Sequence, residues 1–378
     1  MKQLLIALIL LFSLSALAEN KAIKPSGSGS AEDPFLISKI EHLVWMGENI
    51  TNVSAKCFRL TADIDASETK TWHNSRGFLP IGYISENSGR PASFCGTFDG
   101  GGHVISNLFI NRKKQPASFF AKIGMIFQKR DFSPDVIKNL TDISKGTAVI
   151  KDLALVDCNF VGKNLAAGLS DEIEYALISR VYISGTLKSD RLTAGIAEKC
   201  ENSCLDECEI DLKFDNRFSD AACFFSSSKN AYLKNCLSLG SFQYSQDPTY
   251  EKSLKLKYTT PLHRLSPYHN KRPLSCFSIT LSGEGRLNLY NCLVLNSLLS
   301  TKRKYWLYCF SNSEDLQNSF YSTDNLQKDP KDEDLGGLPN SKLMDKSTYV
   351  GWDFDSVWEI EDGKSFPKLR RIEKMLKR

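Results

Sequence analysis

Residues 94–112 read FCGTFDGGGHVISNLFINR, a short alternating run followed by three glycines and a second apolar run. Glycine adopts positive φ without a Cβ penalty, so Gly100, Gly101 and Gly102 predict a tight turn between two strands. Further along the chain, several segments repeat the pattern of the second strand. The repeat decides the fold class, because it shows which residues recur at the same place in successive units.

Five segments align at steps of 27 or 28 residues, or at twice that step: VIKDLAL (149–155), LISRVYI (177–183), CLDECEI (204–210), YLKNCLS (232–238) and NLYNCLV (288–294). The fifth position of these segments, extended by one further step, forms a first column of Leu153, Val181, Cys208, Cys236, Cys292 and Ser319. The second position forms an aliphatic column of Ile150, Ile178, Leu205, Leu233, Leu289 and Leu316. A third column contains Leu169, Ile196, Cys223, Ile279 and Trp306.

A unit of about 28 residues without a helical pattern cannot bury an apolar face alone and must stack on its neighbours. Parallel strands about 4.8 Å apart would place each column in line along one axis. The sequence therefore predicts an all-β fold, a right-handed parallel β-helix, with Gly162, Gly185 and Gly240 at its corners. Ser38 and Glu41 have the spacing of a capping box and predict a short N-terminal capping helix over residues 38–48.

The chain begins with a pattern typical of a signal peptide. Lys2 precedes the apolar run from Leu4 to Leu14, and Ala16 and Ala18 have the spacing of a cleavage site. We therefore expect an exported chain, whether secreted, periplasmic or at the cell surface, without a membrane span after processing. The predicted organisation is a signal peptide at 1–18, a flexible leader at 19–32, the β-helix at 33–322 with a basic loop excursion at 244–274, and a C-terminal cap with a basic tail at 323–378.

Composition narrows the possible partners. The 378 residues are 42% hydrophobic with a formal net charge of +4, so one elongated monomeric domain is expected and nucleic acid is not. Eleven cysteines leave at least one unpaired. Cys200, Cys204 and Cys208 lack the CxxC spacing of structural zinc sites, so no metal or other cofactor is expected. Most cysteines fall in buried columns, where Cys208 and Cys236 could form a disulfide or remain stacked thiols.

Two sets of residues are candidates for binding or chemistry. Asp63 and Asp65 lie two apart on a predicted strand, where paired carboxylates could serve structure, calcium binding or acid–base catalysis. The loop excursion interleaves basic and aromatic side chains that could bind an acidic glycan or phosphate backbone, although a solvated loop has the same composition. The candidate binding residues in that loop are Tyr250, Lys252, Lys255, Lys257, Tyr258, Arg264, Tyr268, Lys271 and Arg272.

The chain resembles bacterial exported β-helix proteins that carry GLUG-type repeats. The resemblance rests on GSGSAEDPFLISKIEHLVWM, FRLTADIDAS, GFLPIGY and FCGTFDGGGHVISNLFINR, taken in that order, and on TYVGWDFDSVWEIEDGKSFPKL near the C-terminus. It covers residues 27–112 and 343–369 closely and 149–240 loosely. It implies the fold, export and an adhesin-like surface role, and it supplies no catalytic signature.

Three functions remain open from the sequence. The first is a non-catalytic β-helix that presents an extended surface to a glycan or a cell-surface ligand. The second is a polysaccharide lyase or glycoside hydrolase acting on a β-helix face, which needs acidic and basic side chains clustered on successive coils. The outward positions Tyr182, Glu209, Leu237 and Leu293 do not form such a cluster. The third is a structural module of a larger surface assembly.

Overall fold

The computed structural model describes residues 21–85, 89–124, 147–216, 220–244, 273–275, 287–298, 306–308, 315–326 and 336–377. Its strands, numbered in chain order, are Phe35–Ile37 (β1), Cys57–Leu60 (β2), Ile64–Asp65 (β3), Thr97–Ser106 (β4), Phe109–Arg112 (β5), Phe120–Ile123 (β6), Ala148–Gly162 (β7), Leu165–Ala167 (β8), Ser170–Glu174 (β9), Ala176–Ser189 (β10), Leu192–Ala194 (β11), Ala197–Asp206 (β12), Glu209–Asn216 (β13), Asp220–Ala222 (β14), Phe225–Lys234 (β15), Leu237–Tyr244 (β16), Pro273–Ser275 (β17), Leu287–Tyr290 (β18), Leu293–Val294 (β19), Ser297–Leu298 (β20), Trp306–Tyr308 (β21), Asp315–Gln317 (β22), Phe320–Ser322 (β23), Gly337–Leu338 (β24), Trp358–Glu359 (β25) and Lys368–Leu369 (β26).

The described helices are short and lie near the two ends of the chain. They are Ile40–Glu48 (α1), Ile50–Val53 (α2), Trp72–Ser75 (α3), Thr323–Leu326 (α4), Asn340–Leu343 (α5) and Arg370–Leu376 (α6), with 3₁₀ turns at Ser67–Thr71 and Lys346–Thr348. Strands β8, β11, β14, β17 and β21 form a five-stranded parallel sheet, and β25 pairs with β26 in an antiparallel sheet. The other strands form one large parallel sheet that winds through successive coils, so the fold is a parallel β-helix.

The first two predicted columns are confirmed by the strand register. Val181 pairs with Leu153, and the aliphatic column is one continuous line of paired residues. At the N-terminal end, three phenylalanines extend this line beyond the predicted repeat. In order along the axis, the residues are Phe35, Phe58, Phe98, Ile150, Ile178, Leu205, Leu233, Leu289 and Leu316.

The third predicted column is correct only at its start. The amide of Leu169 donates to the carbonyl of Ile196, but the amide of Ile196 donates to Phe224 rather than to Cys223. Trp306 pairs with Pro273, several residues before the predicted position, and Ile279 lies outside the described residues. The prediction failed because this side of the coil gains or loses residues between repeats, whereas the long strands keep their register.

The prediction of a tight turn at the three glycines is wrong, because β4 runs continuously through them. Asp99 pairs with Lys151 and His103 pairs with Leu153, so β4 contains extra residues at this point and forms a bulge. The second and third glycines have φ of 59° and 74°. Positive φ lets the strand bend from one side of the coil to the next without reversing direction.

Corners of the coil are formed by residues that the sequence analysis did not single out. Gly185 and Gly240 were predicted at corners but lie within β10 and β16. The residue immediately before each member of the first column has instead a left-handed conformation, which Asn and Asp adopt more readily than other non-glycine residues. These corner residues, with φ between 48° and 53°, are Asp152, Arg180, Glu207, Asn235, Asn291 and Asn318.

Helix α1 packs on the first coils at the N-terminal end of the β-helix. Leu43 and Met46 are fully buried, and Trp45 meets the ring of Phe35 edge-on at 5.3 Å. The predicted capping box is not formed, because the N-cap residue is Lys39 and makes no side-chain capping bond. The backbone amide of Ser38 donates instead to the imidazole of His42, which replaces the predicted contact.

Leu233 pairs directly with Leu289, so the residues between β16 and β18 add no coil to the large sheet. Within that interval, β17 continues the small sheet between β14 and β21. The segment 245–272 therefore joins two strands of the same coil and lies outside the described residues. The nine described cysteines are unpaired thiols. In the first column, Cys208, Cys236 and Cys292 are fully buried, and hydrogen bonds link Cys236 to the other two.

Candidate functional site

The C-terminal segment, defined as residues 339–377, lies along the outer face of the β-helix rather than only over its last coil. The Trp352 indole donates to the carbonyl of Asn318 at 2.9 Å, next to the last described coils. The Trp358 indole reaches the amide oxygen of Asn235 at 3.4 Å, which is several coils earlier. Helix α6 then contacts β10 and β4. The prediction of an end cap is therefore corrected: this segment runs back along one side of the coil.

This path explains a column of side chains that point outward from the large sheet yet are mostly apolar. The column includes the outward positions named from the sequence, and the C-terminal segment covers it. Its apolar members belong to one hydrophobic cluster with Trp352, Trp358 and Ile372. In order along the axis, the column contains Val104, Ala154, Tyr182, Glu209, Leu237, Leu293 and Phe320.

Beside helix α6, the same face carries a cleft of about 540 Å³, within the range of small-molecule binding sites. Its floor is formed by β7, β10, β13 and β16, so it crosses four successive coils, roughly 14 Å at the usual strand spacing. Leu376 of α6 lines one wall. The lining residues are Val156, Asp157, Tyr182, Ser184, Gly185, Asp211, Lys213, Gly240, Ser241 and Leu376.

Two carboxylates and several hydroxyls face the cleft. Asp157 and Asp211 are exposed, on strands two coils apart, with Ser184 between them. The Ser184 hydroxyl accepts a hydrogen bond from the backbone amide of Asp157 at 3.1 Å. Partial burial and the carboxylate of Asp157 raise the pKa of Asp211. Burial, opposed by a hydrogen bond with Ser184, raises the pKa of Tyr182 to about 12, so its phenol stays protonated.

The cleft suits a ligand rich in hydroxyl groups. Carboxylates accept hydrogen bonds from hydroxyls, and charge assistance makes such bonds stronger than those between neutral groups. Lys213 supplies one ammonium group against two carboxylates, so the local charge does not favour an anionic ligand. Gly185 and Gly240 have positive φ, and a Cβ on either would meet the backbone of the neighbouring strand within 3 Å. Glycine is therefore required where the strands approach closely at the cleft floor.

Sequence reasoning missed the residues of the cleft, although a signal for them exists. Asp157, Ser184 and Asp211 follow one another at steps of 27 residues and fall on the outward side of their strands. The earlier search examined only the column one position after the buried core, which is the column that the C-terminal segment covers. Polar residues repeated at the coil period two positions further on indicate the exposed part of the same face.

The carboxylates singled out from the sequence lie near the N-terminal end, away from the cleft. Asp63 accepts hydrogen bonds from the backbone amide of Val104 and from the His103 ring, both at 3.0 Å. Asp65 accepts hydrogen bonds from Asn107 and Ser67, which lower its pKa. The two carboxylates thus stabilise separate local contacts, and a role for them in catalysis or calcium binding stays a prediction.

The predicted binding loop cannot be placed. Tyr250, Lys252, Lys255, Lys257, Tyr258, Arg264, Tyr268, Lys271 and Arg272 lie outside the described residues, as do the predicted signal peptide and its cleavage site. Within the described ranges, no three His, Cys, Asp or Glu side chains are grouped so that they could hold a metal ion. None of the helices in those ranges is long and apolar enough to cross a membrane.

A second group of charged residues lies on another side of the coil, on β6, β9 and β12. The ammonium groups of Lys122 and Lys199 both contact the carboxylate of Glu172. Asp171 pairs in register with Glu198 on the next coil, and the two carboxyls are hydrogen bonded. Burial and the charge of Glu198 raise the pKa of Asp171 to about 7. These residues satisfy one another, so we regard them as structural.

Comparisons with known proteins give limited similarity. No protein-family model matches the chain. Halomucin from Haloquadratum walsbyi is 30% identical over 172 residues, which is 45% of this chain and 2% of Halomucin. The chain therefore spans only a small part of that relative.

Two solved structures are similar over larger parts of the chain. A Bacteroides ovatus protein, a proposed immunoglobulin A1 protease, aligns over 92% of this chain and 95% of its own, with 12% identity and a TM-score of 0.48. An IgA1 protease aligns over 76% of this chain and 21% of its own, with 14% identity and a TM-score of 0.39. The strand pairings of the chain itself, rather than these similarities, establish the β-helix.

Proposed function

We propose that this chain is an exported β-helix protein of the GLUG-repeat type that binds a glycan in the cleft and acts as an adhesin-like surface protein without catalysis. Export is supported by the n-region, apolar run and small-residue site of residues 1–18. The similarity to Halomucin supports a surface or secreted location. The single observation that carries the binding function is the cleft that crosses four coils beside α6.

The composition of the cleft favours a neutral, extended glycan over an acidic one. Asp157 and Asp211 offer four carboxylate oxygens to sugar hydroxyls, and Ser184 and Ser241 add hydroxyls that can donate or accept. An open groove along parallel strands exposes a long surface, which suits a chain of sugars rather than a single compact molecule. The basic loop, with its predicted preference for acidic glycans, stays a separate prediction.

The proposal is tested with the purified mature chain on a glycan array and on whole cells. We expect binding to neutral oligosaccharides, weakened about tenfold or more by Asp157→Asn and by Asp211→Asn, because each removes a charged acceptor. Asp355→Asn changes an exposed aspartate in the C-terminal segment and should bind like the wild type. A blank array with no cell binding would contradict the proposal, and full binding by both cleft variants would move the site elsewhere.

A glycoside hydrolase is the second candidate, favoured by the position of the same two carboxylates. Asp157 and Asp211 stand two strand spacings apart, about 10 Å between backbones, and inverting glycosidases hold their carboxyl groups roughly 6.5–9.5 Å apart. The raised pKa of Asp211 suits a general acid. A reducing-end assay on polysaccharides decides between the candidates. Turnover that Asp211→Asn abolishes would establish the enzyme, and binding without turnover would support the adhesin-like role.

A structural module of a larger surface assembly is the remaining alternative. It would give neither glycan binding nor turnover, and the chain would co-purify with other surface proteins of its own cell. The combined binding and cleavage screens therefore separate all three functions in one set of experiments.

A further inference from the structure

We propose that protonation of Glu209 controls the docking of helix α6 and thereby opens or closes the wall of the cleft that this helix forms. The link to ligand binding rests on the proposed function. The docking of the helix is independent of it, because it concerns contacts within the chain. The inference follows from a single charged residue in an otherwise apolar outward column.

Glu209 is 5% exposed and lies between Tyr182 and Leu237 in that column, beneath the C-terminal segment. Its Oε2 atom is buried and has no hydrogen-bond partner among the described residues. An ionised carboxylate in such a place is strongly disfavoured, because it loses its hydration without gaining donors. The buried state therefore selects the neutral acid.

The charged groups around Glu209 strengthen this selection. Glu373 of α6 faces it from above and Asp211 lies two residues along its own strand, and both disfavour the ionised form. Lys368 of β26 favours ionisation, but its ammonium group also lies 3.8 Å from the Glu373 carboxylate. Burial is the largest effect, and together these groups raise the pKa of Glu209 to about 8.

The adjacent corner residue holds the same helix by charge. The Arg371 guanidinium lies 3.4 Å from the Glu207 carboxylate, and Ile372 and Met375 anchor α6 in the outer apolar cluster. These contacts fix the helix while Glu209 is neutral. On ionisation, the carboxylate regains water only if α6 moves away, and Leu376 then leaves the cleft wall.

The direction of the pH effect follows from the two states of the carboxyl. With α6 undocked, Glu209 titrates near its ordinary value of 4.5, and with α6 docked it titrates near 8. The docked state binds the proton more tightly, so docking is strongest below pH 4.5 and weakens as pH rises towards 8. We therefore expect a firm wall in mildly acidic surroundings and a loose one in alkaline surroundings.

Amide hydrogen exchange of residues 370–376 in the full mature chain tests this inference without ligand. After correction for intrinsic exchange rates, protection of α6 should fall roughly tenfold or more between pH 5.5 and pH 8.5 in the wild type. Glu209→Gln has nearly the same shape without a charge, and Glu209→Leu matches the neighbouring Leu237 and Leu293. Both variants should retain the protection at pH 8.5, with folding checked by circular dichroism.

Glu361→Gln, an exposed carboxylate in the same segment, is the matched control and should keep the wild-type pH dependence. Equal protection of the wild-type helix at both pH values would overturn the inference, as would unchanged pH dependence in both Glu209 variants. Glycan binding is then measured at the same pH values. It should weaken at pH 8.5 only in the wild type and control, while a lack of glycan binding at every pH would count against the proposed function and leave the exchange result intact.

Discussion

Leu233 lies beside Leu289 on the adjacent coil, although 56 residues separate them in the chain. Leu205 lies on its other side, so three leucines from distant parts of the sequence are in direct contact inside the coil. Each of them is fully buried. The β-helix is therefore held together by lines of identical environments, and a change at one position is felt by both neighbouring coils.

A charge placed in this line should unfold the middle of the molecule. Leu233→Asp puts an unpaired carboxylate among apolar side chains, and we expect a loss of about 4 kcal/mol or more in the free energy of unfolding. Urea unfolding followed by circular dichroism measures the change. Lys234→Asp places the same side chain at the exposed neighbouring position and should cost within about 1 kcal/mol. Similar stability of the two variants would contradict the observed register.

The inner columns could be predicted from the sequence because their spacing is set by the length of one coil. Ile178, Leu205 and Leu233 recur at steps of 27 and 28, and their pairing follows directly from that period. The third column failed from Cys223 onwards, because short corner segments absorb insertions that the long strands cannot. Period therefore specifies the paired faces of a solenoid and leaves its irregular side undetermined.

The course of the C-terminal segment could not be predicted, because it has no period and its partners are distant in sequence. Trp358 contacts Asn235 across 123 positions. A partial signal was nevertheless present in Leu237 and Leu293, which are apolar and point outward from the coil. Side chains of this kind on an outer face indicate that another part of the chain, or another molecule, covers them. The cleft beside α6 depends on that cover and was missed with it.

Removal of a single indole from this segment should detach it from the β-helix. Trp358 is fully buried and its ring lies 4.4 Å from that of Trp352, so Trp358→Ala should cost about 3–5 kcal/mol in the stability of the docked segment. Limited proteolysis should then cleave residues 339–377 before the coils unfold. Val350→Ala removes a side chain that is 74% exposed and should leave the cleavage pattern unchanged. Resistance of the Trp358 variant equal to that of the wild type would show that the segment is held elsewhere.

The stacked cysteines should be unreactive in the folded protein. Cys208, Cys236 and Cys292 are fully buried, and burial raises the pKa of Cys236 well above its ordinary value. The thiolate is the reactive form, so iodoacetamide at pH 8 should leave these three residues unmodified in the native chain and alkylate them in urea. Peptide mass spectrometry reports each position separately. The half-buried Cys57 serves as the comparison and should react faster. Rapid native alkylation of Cys236, or a disulfide between it and Cys208, would contradict the observed arrangement.

The carboxyl pair on β9 and β12 should make the stability of the β-helix depend on pH. Asp171 has a pKa of about 7 in the folded chain and an ordinary value of 3.8 when unfolded, so its neutral form stabilises the fold fully below pH 3.8. That contribution is lost as pH rises through 7. Asp171→Asn stays neutral at all pH values, and at pH 8 it should be more stable than the wild type by roughly 1–3 kcal/mol. Thermal unfolding of both proteins at pH 4 and pH 8 measures the difference, which should shrink at pH 4. Asp355→Asn, at an exposed site, should follow the wild type at both pH values. A variant less stable than the wild type at pH 8 would mean that Asp171 is ionised in the folded chain and that Lys122, rather than Glu198, dominates its surroundings.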